Sequence, residues 1–148
     1  LSQPMFYLSS YLQSNRDEYC VRLQNVSRKD GWNGWIAFFL KAITAQAENN
    51  SAKVKSIMGL YESMKSRIQD ITHSQYTVQL LDAIFDRPIF ETTDFLKRTG
   101  IHKPTAMGLL RQLKVANILH ELRPGSGRCA AVLCFPELLN IAEGRKIL

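Results

Sequence analysis

Between residues 76 and 136 the chain reads as helix, helix, turn, helix and then a two-stranded hairpin, and few folds accept that order. Val78, Leu81, Ile84 and Phe85 recur at helical spacing and Pro88 ends the run. Ile89 and Phe90 form a short extended bridge able to pair with the later hairpin. Thr92 or Thr93 is placed to cap a second helix that turns Phe95 and Leu96 inward. Gly100 stands where a helix end needs a left-handed residue, and Ile101 plugs the turn. A third helix starts near His102 or Lys103, with Pro104 in its first turn and Ala106, Leu109, Leu110 and Leu113 on its core side. Asn117 ends it, and Ile118-Leu119 begins a strand. The chain turns at Arg123-Pro124-Gly125-Ser126-Gly127-Arg128 and returns through Ala131-Val132-Leu133. Pro136 opens a closing helix that packs Leu138, Leu139 and Ile141 back. This is the plan of a winged helix-turn-helix with a small β-hairpin wing.

Charge follows the same pattern. From Lys97 to Arg128 there are seven bases (Lys97, Arg98, Lys103, Arg111, Lys114, Arg123, Arg128) against one acid, Glu121. Seven minus one is +6, the formal charge of the whole chain. Concentrated on one supersecondary unit, that charge points to nucleic acid. Lys103, Thr105, Arg111, Lys114, Arg123 and Arg128 are the candidate nucleic-acid-binding residues. Their chemistry suits phosphate contact better than base reading. Met107 and Gly108, at the centre of the outward face, offer no strong hydrogen bond to base edges.

The first half reads as wholly helical. Pro4 suits a first turn, and Met5, Leu8, Tyr11 and Leu12 follow at helical spacing. Asn15 is placed to cap a second helix with Asp17 and Glu18 in its first turn and Tyr19, Cys20, Leu23 and Val26 as its stripe. Asp30-Gly31 breaks the pattern. Asn33 is placed to cap a third helix whose inward face is Trp35, Phe38, Phe39, Ala42, Ile43 and Gln46. Asn49-Asn50-Ser51 reads as a break or kink. A fourth helix then runs to about Thr72, about 33 Å long at ~1.5 Å per residue. Along it Val54, Ile57, Tyr61, Met64, Ile68 and Ile71 alternate at spacings of three and four, a heptad stripe. That stripe either packs on the preceding helix of the same chain or forms a dimer seam. His73-Ser74-Gln75 is a polar joint. The expected architecture is therefore mainly α: a helical arm of about four helices over 1–74, then a winged helix-turn-helix over 75–148.

Composition narrows the function classes. At 45% apolar the 148 residues can bury a core. No apolar run is long enough to span a bilayer, and Leu1-Ser2-Gln3-Pro4 is neither a signal peptide nor an initiator start. The chain is expected to be cytoplasmic, and a fragment or processed product. Cys20, Cys129 and Cys134 are odd in number, lack C-x-x-C spacing and have apolar neighbours, so buried reduced thiols are expected. His73, His102 and His120 are scattered and suggest no metal cluster. No phosphate loop, paired carboxylates or Ser-His-Asp constellation stands out. The expectation is no catalytic, cofactor-binding or metal-ligating residue.

The N-terminal residues carry a more particular signal. Pro4-Met5-Phe6-Tyr7-Leu8-Ser9-Ser10-Tyr11, then Asn15-Arg16-Asp17-Glu18-Tyr19, Leu23, Val26 and Asp30-Gly31-Trp32-Asn33-Gly34-Trp35-Ile36-Ala37-Phe38-Phe39-Leu40 resemble the region just downstream of the catalytic motif in Fic family proteins. Many of those proteins continue through a long helix into a C-terminal winged helix, so the resemblance covers nearly the whole chain. It implies the end of a Fic core plus an accessory domain of a protein AMP-transferase (AMPylation), with a target protein as partner and ATP and magnesium as the intact enzyme's requirements. The family's chemistry rests on an H-P-F-x-x-G-N-G-R-x-x-R motif. Neither His-Pro nor Gly-Asn-Gly occurs here, so no catalytic residue carries over and the chain itself is expected to be inactive. Cys20 stands where the family often has a second Tyr, His102 where Ser or Thr commonly caps, and Met107-Gly108 where a polar-basic pair is frequent.

Three functions follow: a non-catalytic part of a Fic-type AMP-transferase whose winged helix is a regulatory DNA- or protein-binding module; a DNA-binding transcriptional regulator; or a helical module that forms homodimers through the 54–71 stripe. None involves a membrane.

Overall fold

A computed structural model describes residues 8–29, 31–127 and 129–146. The expectations for Pro4, Met5, Asp30 and Arg128 lie outside these residues. Among the described residues the chain is mainly helical, with seven helices and one small antiparallel sheet. The order is α1 (Leu8–Ser14), α2 (Arg16–Lys29), α3 (Trp32–Thr72), α4 (Thr77–Asp86), β1 (Ile89–Glu91), α5 (Thr92–Thr99), α6 (Lys103–Val115), β2 (His120–Arg123), β3 (Val132–Cys134) and α7 (Pro136–Glu143). No helix among the described residues is long and apolar enough to cross a membrane.

Contacts divide the chain into two units, Leu1–Val54 and Lys55–Leu148. The polar joint at 73–75 therefore falls inside the second unit rather than between the two. Met64 and Ile68 explain this. They sit at 4% and 1% exposure in one cluster with Leu80, Leu81, Leu110 and Phe135. The Tyr61 hydroxyl donates to Asp82 Oδ1 at 2.6 Å, and Arg67 donates to the carbonyl of Ala116 at 3.3 Å. The last turns of α3 are thus part of the second unit's core.

The expected break at Asn49-Asn50-Ser51 does not occur, and the expected third and fourth helices are one, α3. Asn side chains break helices by competing for backbone groups. Here Asn50 Oδ1 instead accepts from Gln46 Nε2 at 3.0 Å, an i,i+4 pair that supports the helix. Asn33 does not cap α3, which begins one residue earlier; Trp35 N–H donates to the carbonyl of Gly31. Gly31 is required by proximity. Its own N–H donates to the Asn25 carbonyl, and a Cβ there would lie 3.0–3.1 Å from Asn25.

The first unit is built around aromatic contacts. Tyr19 and Trp35 lie 5.5 Å apart between ring centroids, Trp35 and Phe38 6.2 Å, and Tyr11 and Phe38 6.1 Å. Phe38, Ala42 and Gln46 are buried on α3. The expected α2 stripe is only partly covered: Leu23 is 45% exposed, and Cys20 is exposed.

The second unit buries α6 through Ala106, Leu109, Leu110 and Leu113, as the spacing predicts. Gly100 ends α5 at φ 64, a conformation that L side chains rarely adopt. Glu91, not Thr92 or Thr93, precedes α5, and Thr92 is itself in the helix and buried against β3's approach, its N–H donating to the Ala131 carbonyl. Val78, expected inward, is 48% exposed. Ile118 and Leu119 precede rather than begin the strand; both donate to the Leu113 carbonyl and are buried, while Asn117 turns the chain at φ 55. The sheet order is β1-β3-β2. Ile89 pairs with Cys134 and Glu91 with Val132 on one side; His120 pairs with Cys134 and Arg123 with Val132 on the other, with an irregularity between Glu121 and Arg123.

Candidate nucleic-acid interface

The outward face of α6 follows from its inward one. With Ala106, Leu109, Leu110 and Leu113 committed to the core, a period of 3.6 sends Pro104, Gly108, Arg111 and Val115 to the opposite side. Lys103, Met107 and Lys114 flank them toward the hairpin, and Thr105 and Gln112 flank them on the other side. Lys103, Thr105 and Arg111 are exposed. A groove lined by Lys103, Met107, Thr93, Leu96, Ser126 and Cys129, among others, separates α6 from the hairpin tip. The tip closes through Ser126 and Cys129, which exchange both backbone hydrogen bonds around Gly127 at φ 55.

The acids of the sheet alter the charge on this face. Lys114 Nζ is paired with Glu121 Oε2. Arg123 lies 3.2 Å from Glu91 Oε1. Sheet register explains the second pair: Glu91 on β1 and Arg123 on β2 both stand opposite Val132 of the strand between them. Arg98, counted above among the segment's bases, lies away from this face. Its guanidinium donates to Asp94 at 2.8 Å, to Asp86 at 3.3 Å and to the Ala83 carbonyl at 2.9 Å. Of the six bases that fall among the described residues, Lys97, Lys103 and Arg111 form no ion pair with a described residue.

The expected site residues therefore separate. Lys103 and Arg111 remain uncommitted cations on one helix, two turns apart, or about 12 Å at ~1.5 Å per residue. Thr105 lies on the far flank of the same helix. Lys114 and Arg123 are locally neutralised, and Arg128 is outside the described residues. Glu91 and Glu121 were missed as participants. A cross-sheet pair 32 residues apart leaves no mark in local spacing, whereas Glu121 was visible as the segment's lone acid.

The residues of the expected dimer seam are mostly occupied within the second unit. Met64 and Ile68 are buried, and Ile57, Tyr61 and Ile71 pack partly buried against the same cluster. Val54, in the first unit, is 53% exposed. From Ile57 to Ile71 the stripe packs not on the preceding part of α3 but in the cluster with α4, α6 and the elements around Phe135, and Tyr61 meets Phe85 edge-on at 5.1 Å. The hydrogen bond to Asp82, more than burial, pushes the Tyr61 phenol above its ordinary value. Burial pushes the Cys134 thiol up, whereas Cys20 and Cys129, also expected to be buried, are exposed on the outer side of α2 and in the tight tip turn. Among the described residues no group of three or more His, Cys, Asp or Glu is placed to hold a metal ion. No known protein-family model matches the chain.

Proposed function

We propose that this chain is a non-catalytic part of a Fic-type protein AMP-transferase, and that residues 75–148 are a winged helix-turn-helix touching duplex nucleic acid through phosphate contacts without reading sequence. The observation that carries the nucleic-acid reading is the pair Lys103 and Arg111. They are exposed on the outward side of α6, free of ion pairs with described residues and about 12 Å apart along its axis. The helix order α4-α5-α6 followed by the β2-β3 hairpin supports the fold reading. Support for the family reading is the Fic-like run itself, whose Tyr11, Tyr19, Trp35 and Phe38 meet in one aromatic cluster.

Two experiments separate the parts. A duplex of arbitrary sequence should be shifted at low salt and released as salt rises, because phosphate contacts release counterions. Lys103→Ala with Arg111→Ala should lower the salt slope by about two. Lys114→Ala with Arg123→Ala should change it less, since those cations already face Glu121 and Glu91. A wild-type chain that leaves the duplex unshifted at low salt overturns the nucleic-acid reading. Incubation with labelled ATP, magnesium and candidate target proteins should give no transfer, and robust labelling would refute the non-catalytic assignment.

A further inference from the structure

Between α6 and the sheet, beside the start of α5, lies a cavity of about 320 Å³. Small-molecule sites occupy about 300–1,000 Å³, so it falls at the small end of that range. Much of its wall is apolar. Leu110 and Leu133 are buried core residues that line it together with Met107, which is 40% exposed. Three charged side chains line it as well. Lys114 and Glu121 are paired with each other and cancel. Arg111 forms no ion pair with a described residue, so the cavity keeps one uncompensated positive charge. Thr92 completes the lining and is only 8% exposed. Its N–H donates to the Ala131 carbonyl, but its hydroxyl forms no hydrogen bond with a described residue. Polar groups this well buried ordinarily have a partner, and one that lacks it calls for an explanation.

We infer that this cavity binds a small organic monoanion, a carboxylate carried on an apolar body about the size of one ring. Arg111 is the charge partner, since a planar guanidinium holds a carboxylate through two parallel N–H donors. The Thr92 hydroxyl supplies a further hydrogen bond, and the ligand supplies the partner that this hydroxyl lacks. Met107, Leu110 and Leu133 cover the apolar body, and the unbranched Met side chain adapts to a flat ring. The Lys114–Glu121 pair limits the ligand to one charge, because a second anionic group would meet a cation that Glu121 already engages. Arg111 is also half of the pair proposed for phosphate contact, so an occupied cavity withdraws it from a duplex. Binding itself rests on neither the Fic nor the nucleic-acid reading.

Titration of the full chain with benzoate, followed through the Met107 and Leu133 methyl signals by NMR, tests this. Those signals should shift and saturate with a dissociation constant of about 1 mM, while the Ala42 methyl of the first unit stays still. Benzamide keeps the ring without the charge, and inorganic phosphate keeps charge without the ring; each should bind at least tenfold more weakly. Arg111→Met should weaken benzoate at least tenfold and leave benzamide unchanged. Thr92→Val should weaken benzoate at least threefold with no loss of stability in the free chain, because the hydroxyl removed has no partner there. Lys97→Gln removes an exposed cation outside the cavity and should bind as wild type. Shifts that do not saturate, benzamide or phosphate binding as tightly as benzoate, or unchanged affinity in Arg111→Met or Thr92→Val overturns the proposal. A chain that binds benzoate but leaves a duplex unshifted at low salt loses the nucleic-acid reading alone.

Discussion

In the second unit α6 presents four core residues, none more than 6% exposed, and α3, α4, the sheet and α7 cover them. In the first unit the same helix α3 that is buried at Ile68 leaves Ile36 and Leu40 half in solvent. The difference is one of cover, because the apolar pattern is similar in both places. A helical stripe is a request for a partner, and the sequence records the request without recording who answers it. Where a sheet and two more helices follow, the chain answers itself. Where α1 and α2 are the neighbouring elements among the described residues, Ile36 and Leu40 stay half in solvent.

That contrast is broken most directly by truncating equivalent residues. Ile68→Ala should cost about 2–5 kcal/mol in urea unfolding, the range for a large core deletion, whereas Leu40→Ala should fall within about 0.5 kcal/mol. Equal losses would mean the first unit is as well packed as the second. A smaller effect comes from the polar tie that binds α3 to α4. Tyr61→Phe removes the 2.6 Å bond to Asp82 and should cost about 1 kcal/mol at neutral pH. Its pH dependence has a definite sign. The folded-state phenol titrates above the unfolded value of 10.0, first because of that bond and then because of burial. The contribution is therefore complete below pH 10.0 and declines as pH rises through the folded-state value. Wild type and Tyr61→Phe should converge in that window; a gap that widens there contradicts the assignment. The smallest change is a gain. Gly59 lies inside α3, and a Cβ there would meet nothing within 4 Å. Gly59→Ala should stabilise the second unit by about 0.5–1 kcal/mol, provided the helix stays continuous at that point. A loss would show that α3 bends there.

Much of this fold was legible from local pattern. Ala106, Leu109, Leu110 and Leu113 announced α6, Gly100 announced the end of α5, and Pro136 announced α7, because each reports a period or a backbone restriction that holds within a few residues. The errors arose where a residue's local preference was met by a side chain beyond that reach or by a competing bond. Asn50 looked like a breaker until Gln46 engaged it. Val78 fitted the inward spacing of α4, yet the covering elements leave it 48% exposed. The candidate interface was legible as a cluster of cations and illegible as a field. Lys114 and Arg123 look free in a linear reading, and only the β1-β3-β2 register brings Glu91 across to Arg123.

That strand order also sets a timetable. β3 is the middle strand of the sheet and the last of the three to be synthesised. Until Val132–Cys134 emerge, β1 and β2 have no neighbour with which to form a ladder, and Phe90 lacks the Leu133 that stands opposite it. Helices α4, α5 and α6 close their backbone hydrogen bonds within their own segments, all of which precede β3. A growing chain paused at the hairpin tip would still lack Leu133, Phe135 and Leu138 from the core that α6 shares, beside two unpaired strand edges. The sheet is in this sense the molecule's closing act, made all at once by three residues.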